Sequence, residues 1–350
     1  MTEENINNEN NYNNFNDDLY SYGCKNCGSS IIEEGYNTNL CVNCRDKLSK
    51  RPIPKKIKFV FLVVLGLVLY SLIRFPAVLE GAIAYERGEQ AAEQKKYTTA
   101  LKEFEKAAKK YSYSGNLKAK LIITQYYTGN YDHVIDMLVD LEGTTIESDE
   151  LYSQLEEINE DLIGIYALDD ELNNIIASIK NESVDIKIQK LSEYNNLHPK
   201  NIMSAYMLAN IYCGIEDYEQ AKFYLNKMLR QRPDNQYALI NMSEIEKVLG
   251  NYEDAINYCN HVLDINVESA DAYASLAKIE LARLNDEKAL EYIEIAYEIN
   301  SNSLSILSTL AETYHHTNML EKRDEILDKI INHPDISKED KDYIESLYKE

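Results

Sequence analysis

One short phrase recurs along this chain of 350 residues at a fixed spacing, and that spacing constrains the fold more than any other feature. The phrase GNYEDA at 250–255 recurs as GNYDHV at 129–134, and looser copies surround Tyr97 and Tyr218. Tyr97 and Tyr131 of the upstream copies are separated by the same interval as Tyr218 and Tyr252 of the downstream copies. A constant period of about 34 residues indicates a solenoid of stacked helical or strand units.

The same period continues towards the C terminus through four units without a gap. These units are 202–235, 236–269, 270–303 and 304–337. In the first unit, the small residues Ala209 and Ala221 suit the close approach of two antiparallel helices. The larger Leu208 and Leu225 fill the space to the next hairpin. Pro233 then ends the second helix, because proline cannot continue a helix.

This pattern resembles the tetratricopeptide repeat (TPR) family. It departs from the family in that no unit has Trp at its first large position and two units lack the terminal proline. The resemblance implies an all-α fold, a TPR superhelical solenoid whose first helices line the concave face. It also implies a surface that binds other proteins.

Two further units precede these four, and the register breaks between the two groups. The earlier units are 81–114 and 115–148, which together occupy 80–148. Residues 149–201 are a diverged helical region, and 338–350 are predicted to be a capping helix. The sequence therefore predicts an array of about seven hairpins.

Two C-x-x-C pairs lie close together in the segment 21–48. Thirteen residues separate the pair Cys24 and Cys27 from the pair Cys41 and Cys44. Two residues between cysteines let both thiolates face one ion, so two such turns make a closed tetrahedral site suited to a structural Zn²⁺. The segment resembles the short zinc ribbons of many bacterial and archaeal proteins. The alternative, a redox dithiol, would accompany a βαβ pattern, which the sequence lacks.

An apolar run follows at 59–79, with Arg74 as its one charged residue. At about 1.5 Å per residue, a helix of this length spans roughly the hydrocarbon core of a bilayer. The run is therefore predicted to be a single transmembrane helix. One alternative, a buried core helix, would be less uniformly apolar. The other, a cleaved signal peptide, would not follow a long segment that contains the cysteine pairs.

Basic residues before this run set its predicted orientation. The cations in and just before the basic segment 49–58 are Lys47, Lys50, Arg51, Lys55, Lys56 and Lys58. Positively charged flanks stay in the cytoplasm. The cysteine module is therefore predicted to lie inside the cell and the residues after 80 outside. A reducing cytosol would also keep the four thiols available for a metal ion.

Charge and motif content argue against other classes of function. The net charge of −23 arises entirely from residues after 74, which hold 27 basic and 51 acidic side chains, and this argues against a nucleic-acid groove. The lysines before the apolar run are explained by topology and anionic lipid. The sequence has no HExxH, GxSxG or phosphate-binding glycine loop, so no enzyme is predicted. Residues 1–20, rich in Asn and acids, are predicted to be a disordered tail.

The resemblance to the TPR family places one set of side chains on the concave face. They are Tyr206, Asn210, Cys213, Tyr237, Ile240 and Asn241. Some TPR proteins hold acidic C-terminal tails with a clamp of Lys, Arg and Asn. Asn210 and Asn241 occupy two Asn places of that clamp, but its cation places hold Tyr206, Asp271 and Ser275. We therefore expect no binding of such tails.

The uncharged helices 204–214 and 236–242 favour a different ligand. An extended or helical peptide could be held there by apolar contacts and by Asn hydrogen bonds to its backbone. Such binding should depend little on salt. The alternative is solvated surface without a ligand.

Together these features predict a membrane-anchored TPR scaffold for protein–protein interactions at the outer side of a bacterial cytoplasmic membrane. The alternative is the reverse orientation, a cytoplasmic TPR adaptor anchored to the membrane. The predicted partners are a protein or peptide in the groove and the lipid bilayer, with no nucleic acid. An envelope enzyme is the weakest hypothesis, because no residue can be named for it.

Overall fold

A computed structural model describes residues 23–50, 53–111, 114–141, 143–166 and 170–338, together with 341 and 344. These residues contain sixteen α-helices and no strand, which confirms the predicted all-α class. The contacts divide the chain into two compact units, Met1–Phe75 and Pro76–Glu350. The helices are α1 Val42–Ser49, α2 Lys55–Glu93, α3 Tyr97–Ala108, α4 Gly115–Tyr127, α5 Tyr131–Val139, α6 Asp149–Tyr166, α7 Asp170–Ile179, α8 Val184–Leu197, α9 Ile202–Gly214, α10 Tyr218–Gln231, α11 Gln236–Val248, α12 Tyr252–Ile265, α13 Ala270–Ala282, α14 Asp286–Ile299, α15 Leu304–His316 and α16 Leu320–Ile331.

The turns between paired helices follow the period of the recurring phrase. The second helices α3, α5, α10 and α12 each begin at the tyrosine of that phrase, as the phrase predicts. Two residues before this start, Gly129 and Gly250 have positive φ angles of 83° and 80°. The residues that take the same left-handed conformation at the equivalent turns are Lys95, Glu216, Leu284 and Asn318. Glycine adopts this conformation without the steric strain that a side chain brings.

Successive hairpins pack so that their first helices form the inner layer. The first helices α11, α13 and α15 contact one another in order, whereas consecutive second helices of the described region make no comparable contact. The core residues predicted from the repeat pattern are buried, Ala209 and Ala221 as well as Leu208 and Leu225. The face of the first helices that points away from this core is therefore free to line a groove.

Helix α2 contains the predicted membrane segment and continues beyond it. Its 39 residues include the run 59–79, whose large apolar side chains are exposed. By length and composition alone, α2 is long and apolar enough to cross a membrane. The helix passes residue 80 without a break, and its last turns serve as the first helix of a hairpin. There Ala84 and Ala91 are buried together with Phe104 of α3.

A contact between distant parts of the sequence joins this first hairpin to the later repeats. The Glu268 carboxylate, just before α13, accepts hydrogen bonds of 2.7 Å from both the backbone N–H and the Oγ1 hydroxyl of Thr99. Lys95 Nζ donates to the carbonyl oxygen of Asp264 at 2.6 Å. A carboxylate is favoured at a helix N-terminus by the helix dipole. The first turn of α3 is thus fixed to the loop between α12 and α13, a link that the repeat period does not predict.

Two predicted segments lie wholly or mostly outside the described residues. These are the tail 1–20 and the capping helix 338–350, of which Ile344 packs beside the last hairpin. Helices α6, α7 and α8 occupy the diverged region 149–201. The domain boundaries stay predictions.

Candidate functional site

The four cysteines of the N-terminal segment converge in one cluster. The Sγ atoms of Cys24, Cys27, Cys41 and Cys44 all lie within 4.8 Å of one another. In the first pair, the Gly28 N–H donates to the carbonyl oxygen of Cys24 at 2.8 Å and closes a turn. In the second pair, Cys41 is the N-cap of α1 and Cys44 lies in its first turn. Cys24 and Cys44 are buried, whereas Cys27 is exposed.

The cluster has the dimensions of a tetrahedral metal site. Four thiolates at Zn–S distances of about 2.3 Å place their sulfurs roughly 3.8 Å apart. The Sγ atoms of Cys27 and Cys41 are 3.6 Å apart, close to that spacing. The four cysteines can therefore hold a metal ion, and an all-thiolate set suits Zn²⁺.

Backbone and thiol neighbours give the cysteines unequal acidities. The backbone N–H of Cys41 is the main reason that the pKa of Cys24 is lowered to about 6. The N–H of Ser29 favours the Cys27 thiolate, but the thiols of Cys44, Cys24 and Cys41 together outweigh it and raise the pKa of Cys27 to about 12. A bound metal requires thiolates, so metal binding would release protons from this cluster.

Arg45 holds the loop between the two cysteine pairs. Its guanidinium lies 3.7 Å from the centre of the Tyr36 ring and pairs with Glu33 at 2.7 Å. It also donates to the carbonyl oxygen of Thr38 at 2.8 Å. Beside the cluster, Asn26 Nδ2 donates to Cys44 Sγ at 3.3 Å. These polar contacts position the sulfurs in a segment too short for a large apolar core.

The predicted groove residues lie on α9 and α11, and each of the six is partly or fully exposed. The ring centroids of Tyr206 and Tyr237 are 4.5 Å apart. The Tyr237 hydroxyl donates to Asn210 Oδ1. Burial, followed by the neighbouring Tyr206, raises the pKa of Tyr237, so its hydroxyl stays protonated as a donor. The geometry brings these three side chains together across the two helices.

The two asparagines of the predicted groove already form hydrogen bonds within the protein. Asn241 Nδ2 donates to the carbonyl oxygen of Tyr237, on its own helix, at 2.9 Å. Asn210 Oδ1 is already the acceptor for the Tyr237 hydroxyl. One polar group of each amide therefore serves the protein itself. Within the described part of the chain, the amide groups without such a bond are Asn210 Nδ2 and Asn241 Oδ1.

The family model of the tetratricopeptide repeat matches residues 216–279. This stretch runs from the turn before α10 through most of α13. These helices are tetratricopeptide repeats. TPR arrays are protein-interaction scaffolds, and most have no enzymatic activity. Among curated proteins, none matches this sequence.

Solved structures similar to the chain include two TPR proteins and yeast Tom70. A thermophilic TPR protein from Thermus thermophilus is 15% identical, with 51% of this chain and 96% of that one covered and a TM-score of 0.45. A TPR protein from Parabacteroides merdae is 13% identical, with 77% and 98% covered and a TM-score of 0.43. Yeast Tom70 is 14% identical, with 78% and 62% covered and a TM-score of 0.41.

Charged residues lie one and two repeat periods beyond Asn210 of the predicted groove. Glu244 on α11 lies one repeat period after Asn210, and Lys278 on α13 lies one further period after Glu244. Glu244 pairs with Lys247 at 2.6 Å and with Lys278 at 3.3 Å. Burial disfavours the Glu244 carboxylate, but the charges of Lys278 and Lys247 outweigh it and lower its pKa. Counting whole periods on from Asn210 in the sequence would have located both Glu244 and Lys278.

Proposed function

We propose that this protein is a membrane-anchored TPR scaffold whose groove binds a protein or peptide partner. The observation that supports it is the contact between α9 and α11, where Tyr206, Tyr237 and Asn210 present rings and an amide on one open face. Aromatic and amide side chains suit apolar packing and hydrogen bonds to a peptide backbone. Cys213, Ile240 and Asn241 would complete this surface.

The partner segment at this place is extended or helical and need not be charged. Lys247 and Lys278 share the Glu244 carboxylate, which compensates one of their two charges, and the Asp271 carboxyl also acts on Lys278. The interaction should therefore weaken little at moderate salt, unlike recognition by an unpaired basic patch.

Helix α2 is the proposed anchor, with the cysteine module in the cytoplasm and the TPR array outside. The six cations before the apolar run support this orientation, because positively charged flanks are retained in the cytoplasm. The reverse orientation, with a cytoplasmic TPR adaptor, is the second candidate. The four cysteines hold a structural Zn²⁺ that stabilises a module with little apolar core.

Affinity capture from solubilised membranes tests the groove. The full chain is compared with a Tyr206→Ala/Asn210→Ala/Tyr237→Ala variant, at low and at moderate salt. The expected result is a partner that the wild type retains at both salt concentrations and the variant loses, with helicity unchanged. Phe223→Ala, at an exposed position on α10, is the matched control and should retain the partner. Retention by the triple variant, or release from the wild type at moderate salt, would contradict this mechanism.

A further inference from the structure

Helix α3 folds back along the end of α2 and finishes beside the last residues of the apolar run. The Tyr111 hydroxyl donates to the carbonyl oxygen of Val78 at 2.6 Å. A Cβ atom on Gly81 would lie 2.7 Å from the Tyr111 ring and 3.0 Å from Lys110 Cβ. The apolar run ends at Leu79. The last turn of α3 and the residues after it therefore lie level with the end of the apolar run.

The lysines of α3 lie at different distances from the end of the apolar run, measured along α2. Phe104 of α3 packs against Gly88 of α2. A Cβ atom added to Gly88 would lie 2.6 Å from the Phe104 ring. Gly88 is roughly 13 Å beyond Leu79 along the helix at about 1.5 Å per residue. The headgroup layer on each side of a bilayer is roughly 5–8 Å thick. Lys106, which follows Phe104, can extend its side chain into this layer, whereas Lys102, which precedes Phe104, lies beyond it.

The end of α3 is basic within a strongly acidic protein. Residues 106–111, KAAKKY, hold three lysines and no acid, and all three lysines are exposed. Lys106 pairs with Glu103, and Lys110 pairs with Glu80 at 3.7 Å. Lys109 makes no ion pair within the described part of the chain. Exposed ion pairs contribute little, so these lysines remain able to attract phosphate groups.

A cavity of about 500 Å³ opens beside Lys106. Its lining residues are Pro76, Leu79, Glu80, Ile83, Ala84, Arg87, Glu103 and Lys106. Along α2 the apolar members come first and Arg87 lies farthest from the apolar run. In a bilayer leaflet the apolar acyl chains are followed by the phosphate groups. The lining residues along α2 follow the same order, apolar side chains first and the cation last. The two glutamates are those already paired with Lys106 and Lys110.

We propose that Lys106, Lys109 and Lys110 form a surface that binds the anionic phospholipid headgroups of the membrane that α2 crosses. The inference rests on the proposed membrane anchoring, but it does not depend on which side of the membrane holds the array. The contact ties the first hairpin to the bilayer at a second point beside α2. The acidic remainder of the array is repelled by the same lipids.

Amine labelling of the reconstituted full chain tests this surface. The protein is placed in phosphatidylcholine vesicles and in vesicles that also contain phosphatidylglycerol, and a water-soluble reagent is followed by mass spectrometry at each lysine. Rates are normalised to Lys102, the matched residue on the same helix. Labelling of Lys106, Lys109 and Lys110 should be about fivefold slower in the anionic vesicles, the effect expected for a cation held at an anionic surface.

Two lysine variants, and extraction of the membranes with alkaline carbonate, distinguish the possible outcomes. In Lys109→Gln/Lys110→Gln the protection of Lys106 should be lost. In Lys102→Gln, where rates are normalised to the exposed Lys96 just before α3, that protection should be unchanged; circular dichroism checks that both variants remain helical. Equal labelling in the two lipids, from a chain that resists alkaline carbonate, would overturn the headgroup surface and leave the anchor intact. Release of the chain by alkaline carbonate would instead contradict the anchor itself.

Discussion

Glu280 occupies, one repeat later, the position that Glu246 holds in the preceding unit, and both side chains are buried. Glu246 accepts a hydrogen bond of 2.7 Å from Asn251 Nδ2, and Glu280 accepts one of 3.0 Å from Asn285 Nδ2. Each asparagine is the N-cap residue of its second helix. In these two units, therefore, the N-cap asparagine ties the second helix to a carboxylate buried in the first.

Removal of one such amide should destabilise the array. In Asn285→Ala the buried Glu280 keeps Arg283 at 3.4 Å and Lys288 at 3.1 Å but loses a donor. A lost hydrogen bond to a buried charge costs about 1.5–3 kcal/mol of unfolding free energy. Unfolding by denaturant measures this loss of unfolding free energy. Asn260→Ala, at an exposed position of α12, is the control. Equal stability of the two variants would show that the amide contributes nothing.

Leu284→Gly should stabilise the protein. Leu284 has a positive φ of 60° and is 82% exposed, at the turn position where Gly250 occurs one repeat earlier. Glycine removes steric strain of about 1–2 kcal/mol. It adds a conformational entropy cost of about 0.5–1 kcal/mol. A net gain in unfolding free energy is expected, and Leu284→Ala, which keeps the strain, should show none. A loss of stability in Leu284→Gly would mean that the leucine side chain packs productively.

Local features of this chain could be predicted from sequence because their chemistry is local. A turn that contains one left-handed residue and leads into a helix requires a short, fixed set of residue types. The tyrosines of the recurring phrase therefore marked the starts of α3, α5, α10 and α12. The spacing of the cysteine pairs likewise predicted that their sulfurs converge. Contacts between distant segments leave no such signal. The link from Glu268 to Thr99 joins residues 169 apart, and no motif marks either residue as the partner of the other.

The cysteine cluster should carry one zinc ion per chain. Elemental analysis of the purified full-length protein should find stoichiometric zinc, and Cys24→Ser/Cys27→Ser should remove it. Cys213→Ser, which alters a thiol of the TPR array, is the matched control and should leave the metal content unchanged. Because Cys27 must lose its proton to bind, zinc affinity should fall as the pH is lowered. Stoichiometric zinc in the double variant would exclude this ligand set.

Protease added to intact spheroplasts tests the orientation. With the TPR array outside, residues 81–350 should be digested while the cysteine module is protected. The six cations before the apolar run are the physical reason for this expectation. Survival of 81–350, while a known external domain is digested, would favour the cytoplasmic adaptor.

Photocrosslinking in living cells tests the central claim, that the TPR groove of the anchored protein binds a partner. A photoreactive phenylalanine analogue replaces Tyr206 or Tyr237 in the groove, or Phe223 on the exposed face of α10 as the control. Our account predicts a discrete adduct from both groove positions, abolished when Asn210→Ala is added, and none from position 223. An adduct from position 223 with none from the groove would contradict it and move the binding surface to the outer helices.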